Sequence, residues 1–446
     1  MADRWTARET LSAVTDSFTE LPCTQGEFSG DGPISWEGYG EARARAAART
    51  GEQESVVCGT ARIGGCETVL LAFEFGFLGG SLGERTGDRI EAAFSHARAH
   101  RLPVVSLIAT GGSRMQEGMR ALTQLQRVAR QSALHRAVGL PQIAVLRDPA
   151  TGGGWATLGA GADLTLALPG AQVGFAGSRV RPADADPRAY EAEGQLAAGA
   201  VDAVVPVAEL RSALGPRLRL LTGGDPAGSP APVPPPRALG RADTASTGRA
   251  AVRRARDPER PRAQAYLADW FEERVEVRGD RCGGVDAGML CGFGLHAGRT
   301  VAYAAQCGTP TRPAGFRTAA RLIRLAGRLG IPVLTLIDTP GAANDAEAER
   351  QGAGAAIAEV FAAVAESPVP VTSLLIGEGG SGGALALAAP DNTWATADSY
   401  FSVIAPEAAA AILKRDPGDA LTTADQLRLR PADLVDLGVV RGVVGP

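Results

Sequence analysis

The chain of 446 residues is poor in lysine, histidine and cysteine, and each shortage excludes a class of site. Lys414 is the only lysine, so no Gly-Lys-Ser/Thr phosphate loop is possible and nucleotide hydrolysis of that type is excluded. The cysteines show neither close pairing nor C-x-x-C spacing, which indicates reduced thiols rather than disulfides or a zinc site. They are Cys23, Cys58, Cys66, Cys282, Cys291 and Cys307.

Features that direct a protein to nucleic acid or to a membrane are also missing. The net charge is −4, and no basic tract is interleaved with aromatic residues. No apolar run is long enough to cross a bilayer, and the first residues lack the basic and apolar regions of a signal peptide. We therefore expect a cytoplasmic protein without a metal site that binds neither nucleic acid nor membrane.

The most informative stretch runs from Val104 to Gly118. It reads as a buried strand, a Gly111–Gly112 turn and the polar start of a helix. Such a turn directs backbone N–H groups at one point, and a helix N-terminus adds positive potential there. Glycine also lets a ligand approach closely, so the stretch suits stabilisation of an oxyanion. Taken alone, an ordinary strand-to-helix turn would explain it equally well.

The same turn recurs further along the chain. The segment from Pro332 to Gly341 repeats the segment from Pro103 to Gly112 in register. At the same offset, the strand beginning at Pro370 repeats the one beginning at Pro141. Gly382–Gly383 then fall opposite Gly153–Gly154. This shared register predicts an internal duplication with one anion-stabilising corner in each half.

The order of predicted elements indicates an α/β protein with a mainly parallel sheet in each half. We predict an N-terminal domain over 1–221, a linker over 222–250 that is too rich in proline and glycine to pack, and a C-terminal domain over 251–446. The pattern predicts a hairpin from Ser55 to Phe73 that turns at Gly64–Gly65. It also predicts a core-facing helical stripe of Met115, Met119, Leu122, Leu125 and Val128.

Side-chain catalysis has weak support. No histidine lies beside a glycine turn in the sequence: the four are His96, His100, His135 and His296. Ser113, Ser381 and Asp338 occupy turns that would suit a nucleophile system, which only spatial proximity to a histidine could complete. Glu117, Glu378 and Asp338 are candidates for a general base, or equally for charges that cap helices. The two backbone corners remain the specific signal.

On several blocks the chain resembles the carboxyltransferase of biotin-dependent acyl-CoA carboxylases, of the bacterial acetyl-CoA type with separate β and α subunits, here fused. Residues 15–215 resemble the β subunit and residues 255–446 the α subunit. The β-like blocks are Phe73 to Gly83, Gly111 to Glu117 and Gly174 to Gly177. The α-like blocks are Arg278 to Arg281, Ile337 to Ala342, Ile376 to Ala386 and Tyr400 to Glu407.

The resemblance implies two crotonase-like ββα superhelix domains in tandem. It implies that Gly111 and Gly112 hold the thioester enolate oxygen by their N–H groups, and that Gly382, Gly383 and Ala384 hold the ureido oxygen of biotin. Further residues are expected to bind the substrates: Phe77, Gly79, Gly80, Ser113, Arg114, Gly153, Gly154, Gly341 and Ala342. The resemblance also implies that no side chain acts as the base.

The implied substrates are a coenzyme A thioester and biotin. No Met-Lys-Met attachment site is present, so biotin would arrive on a biotin carboxyl carrier protein served by a biotin carboxylase. The family also implies a homo-oligomer. Its products would be malonyl-CoA or a homologue, for fatty-acid or polyketide biosynthesis.

The chain departs from the family pattern at three places. The four-cysteine zinc ribbon that usually begins the β subunit is absent, so we expect no metal and no nucleic-acid role. Where the α subunit has a basic His-Gln-Lys-Gly segment and a longer insertion, this chain reads Ala305 to Pro310. Where the family has a Tyr-Pro-Gly run, it reads Ala343 to Ala346. These changes suggest altered binding of the carrier or CoA and a different acyl pocket.

Two other functions compete with carboxyl transfer. A biotin-free decarboxylase of malonyl-type thioesters needs only the first corner. On this view, a bulky residue at Gly383 abolishes transfer and spares decarboxylation. A non-enzymatic scaffold subunit is the third hypothesis, and the two retained glycine corners speak against it.

Overall fold

A computed structural model describes residues 5–22, 30–416 and 420–446. Cys23 and the first four residues, on which the thiol and signal-peptide expectations partly depend, lie outside these ranges. The chain divides into two compact units, Met1–Thr222 and Gly223–Pro446. Each unit is described by itself.

The described part of the first unit contains one sheet of eight strands. They are β1 (Ser17–Glu20), β2 (Val56–Ile63), β3 (Cys66–Phe73), β4 (Val104–Thr110), β5 (Gln142–Thr151), β6 (Leu164–Ala167), β7 (Val173–Gly174) and β8 (Ala203–Val204). The strand order is β1-β2-β3-β4-β5-β6-β8, and β7 pairs with the end of β5. Strands β1 to β3 are antiparallel, and the pairs from β3 onwards are parallel.

The helices of the first unit cover its sheet and connect the parallel strands. They are α1 (Ala7–Val14), α2 (Tyr39–Thr50), α3 (Glu84–Ala99), α4 (Met119–Ala137), α5 (Gly152–Gly154, continued as a π-helix over Trp155–Gly159), α6 (Ala192–Ala197) and α7 (Leu210–Leu221). Short 3-10 turns lie at Leu78–Gly80, Met115–Glu117, Ser178–Val180, Pro187–Tyr190 and Val207–Glu209. Helix α5 begins directly where β5 ends, so the end of this strand positions the start of the helix.

The described part of the second unit repeats this plan with eight strands in one sheet. They are β9 (Glu273–Glu276), β10 (Met289–His296), β11 (Arg299–Gln306), β12 (Val333–Thr339), β13 (Val371–Gly380), β14 (Thr393–Thr396), β15 (Tyr400–Ser402) and β16 (Val443–Val444). The order is β9-β10-β11-β12-β13-β14-β16, and β15 pairs with the end of β13.

The helices of the second unit follow a similar order. They are α8 (Gly248–Ala255), α9 (Ala263–Trp270), α10 (Pro313–Leu329), α11 (Ala346–Arg350), α12 (Ala353–Ala365), α13 (Ser381–Leu385), α14 (Pro406–Ile412), α15 (Ala420–Gln426) and α16 (Pro431–Asp436). Helix α13 follows β13 as α5 follows β5.

The predicted duplication is confirmed in the strand register. Val104 pairs with Gln142 in the first unit, and Val333, 229 residues later, pairs with Val371. The β4–β5 register shifts after Ile108, and the β12–β13 register shifts at the equivalent place. The predicted hairpin is also confirmed, since β2 and β3 are joined at Gly64–Gly65, both with positive φ.

Two packing expectations are wrong. In the helical stripe after the first corner, Met115 and Met119 are 69% and 68% exposed, and only its later part, with Val128, packs into the core. The predicted linker does pack: Val233 and Ala238 are buried in the second unit, and the Val233 carbonyl accepts a hydrogen bond from the Thr372 hydroxyl at 2.8 Å. Proline and glycine prevent regular structure there but leave apolar side chains that can be buried.

Candidate functional site

The first corner lies at the carboxyl ends of β4 and β5. The chain turns at Gly112, whose φ of +113° favours glycine. The Gly112 carbonyl accepts the N–H of Leu82 at 2.9 Å, and the Leu82 carbonyl accepts the N–H of Arg114 at 2.9 Å. Ser113 bridges to Leu82 between these bonds. The glycine-rich loop before α3 is thereby fixed against the corner.

The N–H groups of Gly111 and Gly112 already have acceptors within the protein. Gly111 donates to the carbonyl of Gly79 at 2.9 Å, and Gly112 donates to Oγ1 of Thr110 at 3.1 Å. An oxyanion would have to replace these acceptors, and the role of Gly111 and Gly112 in holding the enolate oxygen stays a prediction. Thr110 was missed by the sequence reasoning, although Thr339 occupies the same place in the repeat.

The start of α5 lies against the first corner. The Gly152 N–H donates to the carbonyl of Phe175 at 3.1 Å. Gly153 and Gly154 follow in the first helical turn, where N–H groups have no acceptor within their own helix. A Cβ on Gly152 would lie 2.9 Å from the Gly112 Cα, so the turn and the helix start approach closely because both residues are glycine.

The glycine-rich loop contains residues in different situations. Phe77 is buried, and the Arg114 guanidinium lies 5.6 Å from its ring centroid. A Cβ on Gly80 would overlap the Ala109 carbonyl oxygen, so glycine is required there for packing. Gly79 has open space on its Cβ side. Of the loop residues predicted to bind substrate, Gly79 is the one the structure leaves accessible in this way.

Arg114 is buried in a polar network and faces no open space. It is 1% exposed, forms an ion pair with Glu54 and donates to Glu117 Oε1 at 3.3 Å and to the Ser81 carbonyl at 2.7 Å. The Tyr39 hydroxyl donates to Glu117 Oε1 at 2.5 Å. The expectation that Arg114 binds substrate is therefore corrected to a structural role. Tyr39 and Glu54 are far away in sequence, and no motif pointed to them.

The second corner repeats the hydrogen bonds of the first corner except the one that Gly111 donates. Gly341 has φ of +143° and donates to Oγ1 of Thr339 at 3.2 Å. The Gly341 carbonyl accepts the N–H of Thr311 at 3.1 Å, and the Thr311 carbonyl accepts the N–H of Ala343 at 2.9 Å. The residue at the place of Gly111 is Pro340, which has no N–H. The two halves therefore do not share an amide donor at this position.

The helix start of the second unit follows the strained residue Ser381, whose φ is +55°. Gly382 has no atom within 4 Å of the position of a Cβ, so its surroundings are open. A Cβ on Gly383 would overlap the backbone nitrogen of Ala342, which makes glycine necessary for contact between helix start and corner. Ala384 is buried. Gly382 and Gly383 occupy the same first-turn positions as Gly153 and Gly154.

The acidic candidates for a general base are engaged in other contacts. Asp338 is buried and accepts from Arg260 Nη2 at 2.6 Å and from the Glu378 N–H at 3.1 Å. Burial raises the pKa of Asp338 above its ordinary value, and the charge of Arg260 opposes this shift. The Glu378 carboxylate accepts from Tyr400 and Arg256, each at 2.8 Å.

The histidines are used in packing. His96 and His100 stack on each other in and just after α3, and His135 packs edge-on against Phe94. His296 stacks on Trp270 and approaches its carbonyl with Nδ1 at 2.6 Å. These contacts occupy the imidazoles away from Ser113 and Ser381, and they give no support to a Ser-His-Asp arrangement.

Metal-binding clusters and membrane-spanning helices are both missing from the described ranges. Across residues 5–22, 30–416 and 420–446, no group of three or more His, Cys, Asp or Glu side chains is placed to hold a metal ion. No helix within those same ranges is both long enough and apolar enough to cross a membrane.

Comparison with known proteins identifies both units. Residues 33–210 match the family model described as a carboxyl transferase domain. Residues 246–445 match the model described as acetyl co-enzyme A carboxylase carboxyltransferase-like.

Relatives match along nearly the whole chain. The acetyl-coenzyme A carboxylase carboxyl transferase subunits beta/alpha of Salinispora arenicola are 41% identical over 465 residues, which cover 99% of this chain and 82% of the relative. A protein of Mycobacterium tuberculosis named "Probable biotin-dependent acyl-coenzyme A carboxylase beta3 subunit" is 34% identical over 97% of this chain and 89% of the relative.

The fold also matches solved structures. A crystal structure of transcarboxylase 12S with methylmalonyl-coenzyme A and methylmalonic acid bound has a TM-score of 0.81, at 20% identity over 99% of this chain and 87% of that chain. This likeness and the repeated sheets confirm the expected pair of crotonase-like α/β domains in tandem. The chain therefore belongs to the carboxyl transferase family of the acyl-CoA carboxylases, and it is a carboxyltransferase with the β-like part followed by the α-like part.

Proposed function

We propose that this chain transfers a carboxyl group from carboxybiotin, held on a carrier protein, to an acyl-CoA such as acetyl-CoA, and so forms malonyl-CoA or a homologue. The observation that carries the proposal is the repeated corner, in which a fixed glycine turn faces the first turn of a short helix in each unit. Carboxyl transfer develops negative charge on two oxygens, one on each reactant. Preorganised main-chain donors stabilise such charge without a reactive side chain.

The first helix start is assigned to the thioester. The amides of Gly153 and Gly154 would hold the enolate oxygen, while Gly111 and Gly112 shape the turn against which they lie. Gly79 lies beside this turn and is expected to flank the bound thioester. This assignment is supported by the acceptors that the Gly111 and Gly112 N–H groups already have in the protein.

The second helix start is assigned to the ureido oxygen of biotin. The amides of Gly382, Gly383 and Ala384 lie at the start of α13, and the open space beside Gly382 would admit the ring. Gly341 and Ala342 back the helix start. The biotin group supplies the carboxyl group and, once freed of it, the base that removes the α-proton. The chain's own contribution is to hold the two oxygens and to position the reactants.

The partners follow from this chemistry. We propose a biotin carboxyl carrier protein and a biotin carboxylase as the source of carboxybiotin, with malonyl-type products used in fatty-acid or polyketide biosynthesis in the cytoplasm. A homo-oligomer is expected, and the likeness to transcarboxylase 12S, whose structure is described as a hexamer assembly, supports that expectation.

The test is direct transfer of label. The purified chain is incubated with acetyl-CoA, propionyl-CoA or butyryl-CoA and a carrier protein carrying ¹⁴C-carboxybiotin. Label is expected in one or more acyl products and only when the carrier is biotinylated. In a parallel incubation without biotin, the chain is given malonyl-CoA labelled in its free carboxyl group. Loss of that label, together with no transfer from carboxybiotin, would instead establish the decarboxylase. If neither reaction is observed, the scaffold hypothesis is the one that remains.

A further inference from the structure

The second unit contains a cavity of about 510 Å³ beside its corner. It lies on the Ala343 side of the turn, and its lining residues do not include Gly382 or Gly383. Among its walls are Ala287, Cys307 and Ala343. It is therefore separate from the amides assigned to the transferred group, and the inference drawn from it does not depend on the proposed function.

The backbone around this cavity repeats the backbone around Arg114. Ala343 occupies the place of Arg114. The Ala343 N–H donates to the Thr311 carbonyl, as the Arg114 N–H donates to the Leu82 carbonyl. Thr311 and Leu82 in turn each donate their N–H to the carbonyl of the corner glycine. The neighbouring hairpin edge also repeats. There the N–H of Cys307 donates to the Gly288 carbonyl at 3.0 Å, as the N–H of Glu74 donates to the Ser55 carbonyl at 2.9 Å.

The side chains at these equivalent places differ in size and charge. The first unit fills the space with the guanidinium of Arg114 and the polar groups that hold it. In the second unit the same places carry smaller or apolar residues. Arg114 is replaced by Ala343, Glu54 by Ala287, Ser55 by Gly288 and Ser81 by Pro310. The cavity is therefore the space that a buried, carboxylate-bound guanidinium occupies in the other half of the same chain.

The charges that remain around the cavity favour a cation. Asp286 is partly buried, and its two oxygens accept the N–H groups of Gly288 and Arg312, each at 2.8 Å. The Arg312 guanidinium is already paired with Asp345 at 3.0 Å. The lining thus holds two carboxylates against one guanidinium, with Cys307 and alanine side chains between them. Burial raises the pKa of Asp286, and the N–H groups of Arg312 and Gly288 and the charge of Arg312 oppose this shift only in part.

We propose that this cavity is a binding site for a small organic cation, whose guanidinium or ammonium group lies near Asp286 and whose apolar part contacts Ala287 and Ala343. Its volume lies within the range of small-molecule sites. A bound cation would replace, in the second unit, the group that Arg114 provides covalently in the first.

Butylguanidine and its neutral isostere butylurea make a matched pair of probes. Cys307 lines the cavity, and burial raises its pKa to about 11, so its alkylation by iodoacetamide is followed at pH 9 by site-resolved mass spectrometry. Saturating butylguanidine is expected to slow alkylation of Cys307 at least fivefold. Butylurea should slow it less than twofold. Cys282, which is exposed and outside the cavity, is the internal control and should react at an unchanged rate.

Two variants complete the test. Ala287→Glu with Ala343→Arg rebuilds the ion pair of the first unit, and should abolish the effect of butylguanidine while the protein stays folded. Should that variant fail to fold, Asp286→Asn is tested instead, and butylguanidine should then slow alkylation of Cys307 less than twofold, as butylurea does. Equal protection by both probes, no protection by butylguanidine, or protection that survives in a folded double variant or in Asp286→Asn would overturn the proposal.

Discussion

At the scale of single residues, the glycines of the second helix start have different tasks. Gly383 is packed against the Ala342 backbone, so a side chain there would displace the corner itself. A bulky residue at Gly383, which the sequence analysis uses to separate transfer from decarboxylation, would therefore disturb folding as well as catalysis. Gly382 has open space, and a methyl group can be added there without a clash. It is the position at which chemistry can be tested separately.

We predict that Gly382→Ala leaves the fold intact and lowers carboxyl transfer at least about tenfold. Alanine keeps the backbone N–H, but its methyl group would fill the space proposed for the biotin ring and keep the ureido oxygen away from that N–H. Loss of one such hydrogen bond to an oxyanion typically costs about 10²–10³ in rate. Transfer is measured with labelled carboxybiotin, and folding by thermal unfolding.

Gly354→Ala is the matched control for this variant. Gly354 also has nothing within 4 Å of a Cβ, but it lies in α12, away from the corner. It should retain full transfer and gain up to about 1 kcal/mol in stability, because alanine favours helix over glycine. Equal transfer by Gly382→Ala and Gly354→Ala would remove Gly382 from the site.

Ser381 holds a backbone conformation that suits glycine, as Gly152 does at the same place in the first unit. We predict that Ser381→Gly raises the free energy of unfolding by about 1 kcal/mol, since the left-handed conformation costs roughly that much for a residue with a Cβ. Transfer should stay within about threefold of wild type because the hydroxyl has no chemical role. Denaturant unfolding and the label assay check both parts. A loss above about 100-fold would identify Ser381 as a reacting group.

At the scale of elements, the Arg114 network fixes the first corner to its surroundings. It connects the corner to the glycine-rich loop at Ser81, to the hairpin edge at Glu54 and to α2 at Tyr39. Removing one partner of a buried ion pair leaves an uncompensated charge. We predict that Arg114→Met lowers the free energy of unfolding by about 3–5 kcal/mol. The surface pair Arg120–Glu84 is the control, and Arg120→Ala should cost less than about 1 kcal/mol.

The same network should produce a pH dependence. Burial alone would raise the pKa of Glu54, but the charge and hydrogen bonds of Arg114 bring it below the ordinary 4.5. The stabilisation from ionised Glu54 is therefore complete above about pH 4.5 and is lost as the pH falls towards the folded-state pKa. Without Arg114, burial would favour protonated Glu54. The stability difference between wild type and Arg114→Met, measured by denaturant unfolding, should narrow as the pH falls from 7 to 4. A constant difference would contradict this.

The sequence predicts elements better than it predicts the use of their polar groups. The Gly64–Gly65 hairpin and the β4 and β12 strands follow from local periodicity, because strand and turn patterns are set within a few residues. The sequence could not show which N–H groups of the corner already have acceptors. The Gly79 carbonyl, which accepts from Gly111, lies far away in sequence and is brought to the corner by the fold. The prediction that Met115 faces the core failed for a similar reason. Periodicity shows that a helix has an apolar face but not what covers that face.

At the scale of the whole molecule, duplication lets one part of the chain act as a reference for the other. Both units share strand order, register shift and corner hydrogen bonds. Where they differ, as at Arg114 and Ala343, the difference is not imposed by the backbone. The sequence alone could align the two halves over their glycine turns. It could not show that one half fills a space that the other leaves open, because the residues concerned lie in separate segments.

The last prediction concerns the division of the reaction between the units. The three atoms nearest to a Cβ on Gly153 all belong to the Leu125 side chain and lie within 3.0 Å, so Gly153→Ala should displace the start of α5 and its amides. If the first unit holds the enolate, Gly153→Ala should slow both carboxyl transfer and biotin-independent decarboxylation of malonyl-CoA at least about tenfold, since the two reactions share that oxyanion. Gly382→Ala should slow transfer and leave decarboxylation within about twofold.

Gly153→Ala combined with Leu125→Ala, which removes the clash, is the control and should change neither rate by more than about threefold. Both rates are followed with [3-¹⁴C]malonyl-CoA and labelled carboxybiotin on the same preparations. The two units have equivalent backbones, so an effect of each variant on both reactions would mean that both corners act on one oxyanion. That result would refute the assignment of one oxygen to each half. The predicted pattern would instead show that each half of the duplicated fold stabilises one of the two negative charges of the reaction.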